Sequence, residues 1–190
     1  MSPLNLASLK KKASCYKDKT SEQILAFIYA NLYNPTYRKN FLEYLKIGFP
    51  RVNFEVSEKE FESFEKLGQR LIDLHLLKNI PKDESIKLEF SQEANKANPS
   101  FVLEKLSEKA RFVNGKIILN KHLQIADIDE NVWGYTVGGY QVLKQWLKYR
   151  VNKTLSKDEL EHLVNICKII KQSLILQNKP ERLSENLTKP

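Results

Sequence analysis

"ARFVNGKIILN", residues 110–120, decides the fold class of this chain. A short β-prone run stands on each side of Asn114-Gly115, and that dipeptide accepts the positive φ angles of a two-residue hairpin turn at little cost. The stretch therefore predicts an antiparallel hairpin. Just upstream, "SIKLEF" at 85–90 alternates and predicts another strand, so residues 81–130 read as a small antiparallel sheet. Helical periodicity takes over on both sides. Thr20 with Gln23 has the form of a capping box, ahead of Ile24, Leu25, Phe27, Ile28 and Leu32 as an inward face. A second helix is expected after Pro35, turning Phe41, Leu42 and Leu45 inward. "GFPRVNF" at 48–54 interrupts it, and Ser57 opens a third helix carrying Phe61, Phe64, Leu67, Gly68, Leu71, Leu74 and Leu77, with Gly68 allowing close packing. Downstream, one helix is expected from about Gly139 to Arg150 and another from a Ser156 cap, with Leu160, Leu163, Val164, Cys167, Ile170 and Leu174 on one side. The order helix, sheet, helix reads as α+β, with helical segments flanking a hairpin-rich sheet. The expected organisation is a basic arm or junction at 1–19, a single domain at 20–178 and a polar tail at 179–190.

Charge narrows the class of partner. The chain of 190 residues carries 31 Lys and Arg against 23 Asp and Glu, a net charge of +8, which favours polyanions. The excess sits at residues 1–50, with 8 basic against 3 acidic, and at 101–150, with 8 against 5. Cys15, Cys167, His75, His122 and His162 fall at no spacing typical of a zinc or disulfide framework. A reduced, cytoplasmic protein is the simplest expectation, since no apolar run reaches the ~20 residues needed to span a bilayer.

The sequence carries no complete catalytic motif. "NPTY" at 34–37 partly matches the amino-methyltransferase signature, but its second proline is missing and it lies between two predicted helices, so a helix-breaking turn accounts for it better. His75 lies near an apolar helix face beside Asp73, which suggests a local hydrogen-bond partner. The carboxylates of "EVSEKEFESFE" at 55–65 read as a solvated helix face. There is no Walker-type loop, nucleophile elbow or metal-binding helix, so the chain reads as a binder. "NVWGYTVGGYQVLKQWLKYR" at 131–150 is the densest candidate surface. Gly138 and Gly139 let the backbone turn sharply or approach another surface, and Tyr140, Val142, Leu143, Trp146 and Leu147 follow as a helix face with Trp146 in the core. Trp133 reads either as packing or as a stacking surface, packing being the simpler account.

At these residues the sequence resembles the C-terminal specificity region of type ISP restriction-modification enzymes. "SEQILAFIYANLYNPTYRKNFLEYLKIGFPRV" at 21–52 is similar to that family's helical segment, "FEKLGQRLIDLHLL" at 64–77 to the helix after it, and "VWGYTVGGYQVLKQWLKYR" with "TLSKDELEHL" to its closing motif. These segments occur in order over most of residues 20–176, whereas 81–128 shows little resemblance, as expected where a target sequence is read. The family combines nuclease, helicase-like, adenine-methyltransferase and target-recognition parts, and only the last has a counterpart here. The resemblance implies a free-standing fragment, split-gene product or cut piece that holds duplex DNA and reads a short asymmetric site for a separate or fused adenine methyltransferase or nuclease. It implies no cofactor in this chain: S-adenosylmethionine, ATP and Mg belong to the missing methyltransferase, helicase and nuclease modules.

Such a reader needs cations to neutralise phosphates and side chains to discriminate base edges. The candidates for phosphate positioning are Arg38, Lys39, Lys144, Lys148, Arg150 and Lys153, with Arg51 divided between a phosphate contact and a structural bond. Around the hairpin, Lys109, Arg111, Asn114, Lys116 and Lys121 are candidates for base or groove contact, with Tyr135 beside the glycines. Two other functions compete: a non-catalytic protein-interaction module that docks on a methyltransferase, and a methyltransferase remnant, which would require a cofactor pocket that the sequence does not display.

Overall fold

The computed structural model describes residues 18–91 and 99–177. Most of the expected arm, the whole expected tail and Cys15 lie outside the described residues. Within the span read as one domain the chain divides into two compact units, one formed by Met1–Lys78 with Ile175–Pro190 and the other by Asn79–Leu174.

The first unit is helical. α1 (Ser21–Tyr33) opens on Thr20 with the expected capping box, the Thr20 hydroxyl accepting from the Gln23 N–H and the Gln23 side chain accepting from the Thr20 N–H. α2 (Pro35–Asn40) and α3 (Leu42–Ile47) replace the single second helix, because Phe41 leaves helical geometry at φ −110° and ψ 15°. "NPTY" is the turn between α1 and α2: the Asn34 side chain accepts from the N–H of Thr36 at 2.9 Å, and Pro35 takes the first helical position, where its missing N–H costs nothing. α4 (Glu58–His75) carries a second capping box through Ser57 and Glu60.

Phe27 of α1 anchors this unit's core, stacked on Phe61 at 4.7 Å between ring centroids and flanked by Phe54 and Phe64. The inward face of α1 is rotated from the expected one. Ala26, Phe27, Ala30 and Asn31 are buried, while Leu25 is 56 % exposed. Gly68 explains this rotation. A Cβ at that position would stand 1.8 Å from the Ala26 carbonyl oxygen, so α1 and α4 cross nearly backbone to backbone and only small residues fit between them. Leu42 is likewise exposed, with Tyr37 buried in its place and its hydroxyl donating to the Arg51 carbonyl at 2.8 Å. Leu77 falls past the end of α4 in left-handed backbone, also exposed. His75 does not turn to Asp73: its Nδ1 meets the Tyr29 hydroxyl at 2.7 Å, and its ring packs on Tyr33. Burial, then the charge of Arg38, lowers the imidazole pKa.

The second unit holds the sheet. Its elements are β1 (Leu88–Phe90), α5 (Glu108–Arg111), β2 (Phe112–Val113), β3 (Lys116–Ile118), β4 (Leu123–Ile125), α6 (Glu130–Trp133), β5 (Thr136–Val137), β6 (Tyr140–Gln141), α7 (Val142–Lys148) and α8 (Lys157–Gln177), the last reaching the unit's boundary at Leu174. β1, β4, β3 and β2 form one antiparallel sheet in that order. The predicted hairpin is present in register, Phe112 opposite Ile117 and Val113 opposite Lys116, with φ of 49° at Asn114 and 73° at Gly115. β4 is tied back by Asn120, whose buried side chain accepts from the N–H groups of His122 and Leu123 and donates to the carbonyls of Ser100 and Val102. Ile117, Leu123 and Ile125 of the sheet join Leu143 and Leu147 of α7 and Leu160, Leu163, Cys167 and Ile170 of α8 in one core. Burial drives the Cys167 thiol pKa up to about 12, so it behaves as a core hydrophobe.

The expected helix from Gly139 is shorter. Thr136 pairs with Gln141 and Val137 with Tyr140, making a second hairpin with Gly138-Gly139 as its loop, and α7 begins only at Val142. Tyr140 is accordingly 66 % exposed rather than part of a helix face, and Trp146 is half-buried against the core.

Candidate nucleic-acid interface

α7 organises the basic surface of the second unit. Leu143 and Leu147 are fully buried, which fixes the helix's rotation and sends Lys144 and Lys148, four residues apart, along its outer edge. Opposite them, Ser107 caps α5 by accepting from the Ala110 N–H, and the turn brings Lys105 and Glu108 to the same place. Between these walls lies an open groove of about 500 Å³, lined by Lys105, Glu108, Arg111, Trp133, Tyr140, Lys144 and Lys148 among others. Three lysines, Lys105, Lys144 and Lys148, stand there against one carboxylate, Glu108, which suits a polyanion.

Trp133 forms part of the groove lining. It is 7 % exposed and stacked on Phe112 at 5.5 Å with the planes 10° apart, so packing accounts for it and a splayed base cannot cover its face. The Lys144 ammonium stands 5.7 Å from the Trp133 ring centre and 2.8 Å from Glu108.

The expected cations do not share one state. Arg111 departs from the expected role in base or groove contact. It is 5 % exposed, with Nη1 donating to the carbonyls of Ile118 and Leu119 and Nη2 to that of Glu104, so it staples α5 to the sheet and cannot reach a base edge. Burial lowers its pKa, though a guanidinium remains charged in such a site. Lys116 pairs with Glu89 at 3.4 Å. Arg150 holds its guanidinium carbon over the Trp146 ring, 3.9 Å from its centre, donating to the Trp146 carbonyl and to Glu159, so much of its binding capacity serves the fold. Tyr135 is half-buried against the core. Asn114 is exposed at the tip of its hairpin, over a smaller depression of about 350 Å³ lined also by Gly115, Lys116, Asp127 and Lys171. Lys171 there bridges Asp83 at 2.9 Å and Asp127 at 3.4 Å, which leaves that depression mixed in charge. Lys109, Lys121, Lys148 and Lys153 are exposed.

The remaining candidates belong to the first unit. Arg38 stacks on Tyr33 at 4.5 Å while its Nε donates to the Leu32 carbonyl, and Lys39 is exposed. Arg51 is exposed, and its structural bond runs through its backbone carbonyl, which accepts from Tyr37. Sequence reasoning missed Lys105 because it lies in an irregular stretch with no periodicity to assign it a face. It also missed the outward exposure of Tyr140.

Among the described residues no group of acidic, histidine and cysteine side chains is arranged to hold a metal, and no helix is long and apolar enough to cross a membrane. A protein-family model described as the Type ISP C-terminal specificity domain matches residues 3–185. The fold is similar to part of the ATP-dependent Type ISP restriction-modification enzyme LlaBIII bound to DNA, at TM-score 0.64 and 20% identity over 93% of this chain and 12% of that one. A nuclease-deletion mutant of the Type ISP enzyme LlaGI, in complex with a DNA substrate mimic, aligns at TM-score 0.63 and 23% identity over 87% of this chain and 14% of that one. A DrdV–DNA complex seen by cryo-electron microscopy aligns at 0.61 and 20% over 95% and 20%. The chain thus spans a fifth or less of each of these structures. No curated protein matches it.

Proposed function

The chain belongs to the family of Type ISP C-terminal specificity domains, and from that premise we propose that it is a non-catalytic reader of duplex DNA that positions a target site for other modules of a restriction-modification system. The observation that carries this reading is the groove of the second unit, where Lys105, Lys144 and Lys148 converge beside an exposed hairpin. Its lysines neutralise phosphates and set the register. The Asn114 hairpin supplies base contacts, with Lys116 free to exchange Glu89 for a base acceptor. Adenine methylation, cleavage and translocation, with S-adenosylmethionine, ATP and Mg, fall to the partner modules.

One observation favours the interaction reading for the first unit. Around α3, which buries no residue, Leu42, Tyr44, Ile47 and Phe49 are exposed, Phe49 by 98 %. A run of large apolar side chains of this kind fits a protein surface better than a phosphate backbone.

Fluorescence anisotropy of a labelled duplex tests the DNA reading. Binding is expected at low salt and should weaken steeply as salt rises. Absence of binding at low salt, by a chain that circular dichroism shows to be folded, would overturn it.

A further inference from the structure

The two hairpins of the second unit turn in the same way with different residues. Asn114 and Gly115 have φ of 49° and 73°, while Gly138 and Gly139 have 57° and 83°. A glycine at the second loop position is explained by this conformation. At the first it is not, because Asn114 shows within the same protein that asparagine adopts that φ, and asparagine is the favoured residue there. Glycine at 138 instead adds unfolded-state entropy, at a cost to stability.

Crowding does not explain it either. A Cβ built on Gly138 or Gly139 meets nothing within 4 Å, whereas one on Gly68 would collide with Ala26. The tip is bare although nothing in the described chain needs the room. No described residue accepts a hydrogen bond from the N–H of Gly138 or Gly139. Gly139 and Tyr140 line the same groove as Lys105, Lys144 and Lys148.

We propose that the Gly138–Gly139 tip is a backbone contact point for one sugar–phosphate strand of duplex DNA, its bare N–H groups donating to a phosphate while the groove lysines hold the neighbouring ones. This rests on the DNA-binding reading and adds to it a specific place and a specific reason for Gly138. A side chain on the tip would hold the strand off; a bare amide lets it approach. Such a contact carries no sequence information, so its loss weakens all duplexes alike.

The test is Gly138→Asn, assayed for thermal stability and for affinity toward several duplexes of different sequence at low salt. Stability should hold or rise, and affinity should fall about tenfold on every duplex, the scale of one lost hydrogen bond to a charged group. Wild-type binding with unchanged affinity in the variant overturns the tip contact and leaves the DNA reading standing. Absence of binding by the folded wild type overturns both. Should the variant fold poorly, the wild type labelled with ¹⁵N-glycine answers the question. Of its six glycine amides, those of Gly138 and Gly139 should shift on adding duplex, and binding that leaves both unmoved rejects the proposal.

Discussion

Lys148 and Arg150 are two residues apart and carry the same charge, yet their replacement by alanine should have opposite consequences. Lys148 is exposed on the groove and serves no described internal bond, whereas Arg150 lies on Trp146 and bonds to Glu159 and the Trp146 carbonyl. If Lys105, Lys144 and Lys148 each meet a phosphate, log affinity falls against log salt with a slope of about −2.7, at −0.9 per phosphate on duplex DNA. Raising salt fourfold then weakens binding about 40-fold. Lys148→Ala should reduce the slope to about −1.8 and the loss to about 12-fold, with no change in melting temperature. Arg150→Ala should leave the slope near −2.7 and instead destabilise the fold by about 1–2 kcal/mol, from a cation–π contact and hydrogen bonds in a half-exposed setting. Anisotropy across a salt series and thermal melts of the same samples read both quantities. A slope that falls with Arg150→Ala and not with Lys148→Ala would refute this division of labour.

Two further outcomes concern the first unit. Gly68→Ala gains about 1 kcal/mol of helix propensity, but its Cβ collides with backbone at Ala26, so overpacking should win by about 2 kcal/mol and lower the melting temperature; an unchanged midpoint would refute the close crossing of α1 and α4. His75 has its pKa lowered below 6.5 in the folded protein, by burial first and by Arg38 second. The unfolded chain therefore binds more protons as the pH drops below about 6.5, so this contribution to stability is complete above that value and is lost as pH falls toward the folded pKa. Urea midpoints measured from roughly pH 7.5 to 5 should fall more steeply for wild type than for His75→Gln, and parallel profiles would reject the assignment.

Sequence revealed those elements whose signals are local. The Thr20 and Ser57 capping boxes, the Asn114-Gly115 turn and the apolar periodicity of α8, and of α4 as far as Leu74, each lie within one element and appear as read, Leu77 alone falling beyond the end of its helix. The errors arise where a distant residue decides. α1 turns Ala26 rather than Leu25 inward because Gly68, 42 positions away, draws the helices together, a constraint invisible to hydrophobic weighting. β5 and β6 have two residues each, too short to show a period of two, and the periodicity of α7 runs back through Tyr140 as though the helix began earlier.

For the interface, spacing can place a cation on a helix edge but cannot show what neutralises it. Lys144 and Glu108 are 36 residues apart, and Lys116 and Glu89 are 27 apart. Both lysines are already paired in the free protein, so a phosphate that displaces the carboxylate contributes only the difference between two similar interactions. That exchange adds little on DNA held in an arbitrary register, where the phosphate fits poorly. It adds more where the strand lies along the groove and several contacts form together. On the proposed DNA-binding reading, Glu108 would therefore act against non-specific binding more than against binding at a well-fitted site, and the basic groove would not have to retain every duplex it meets.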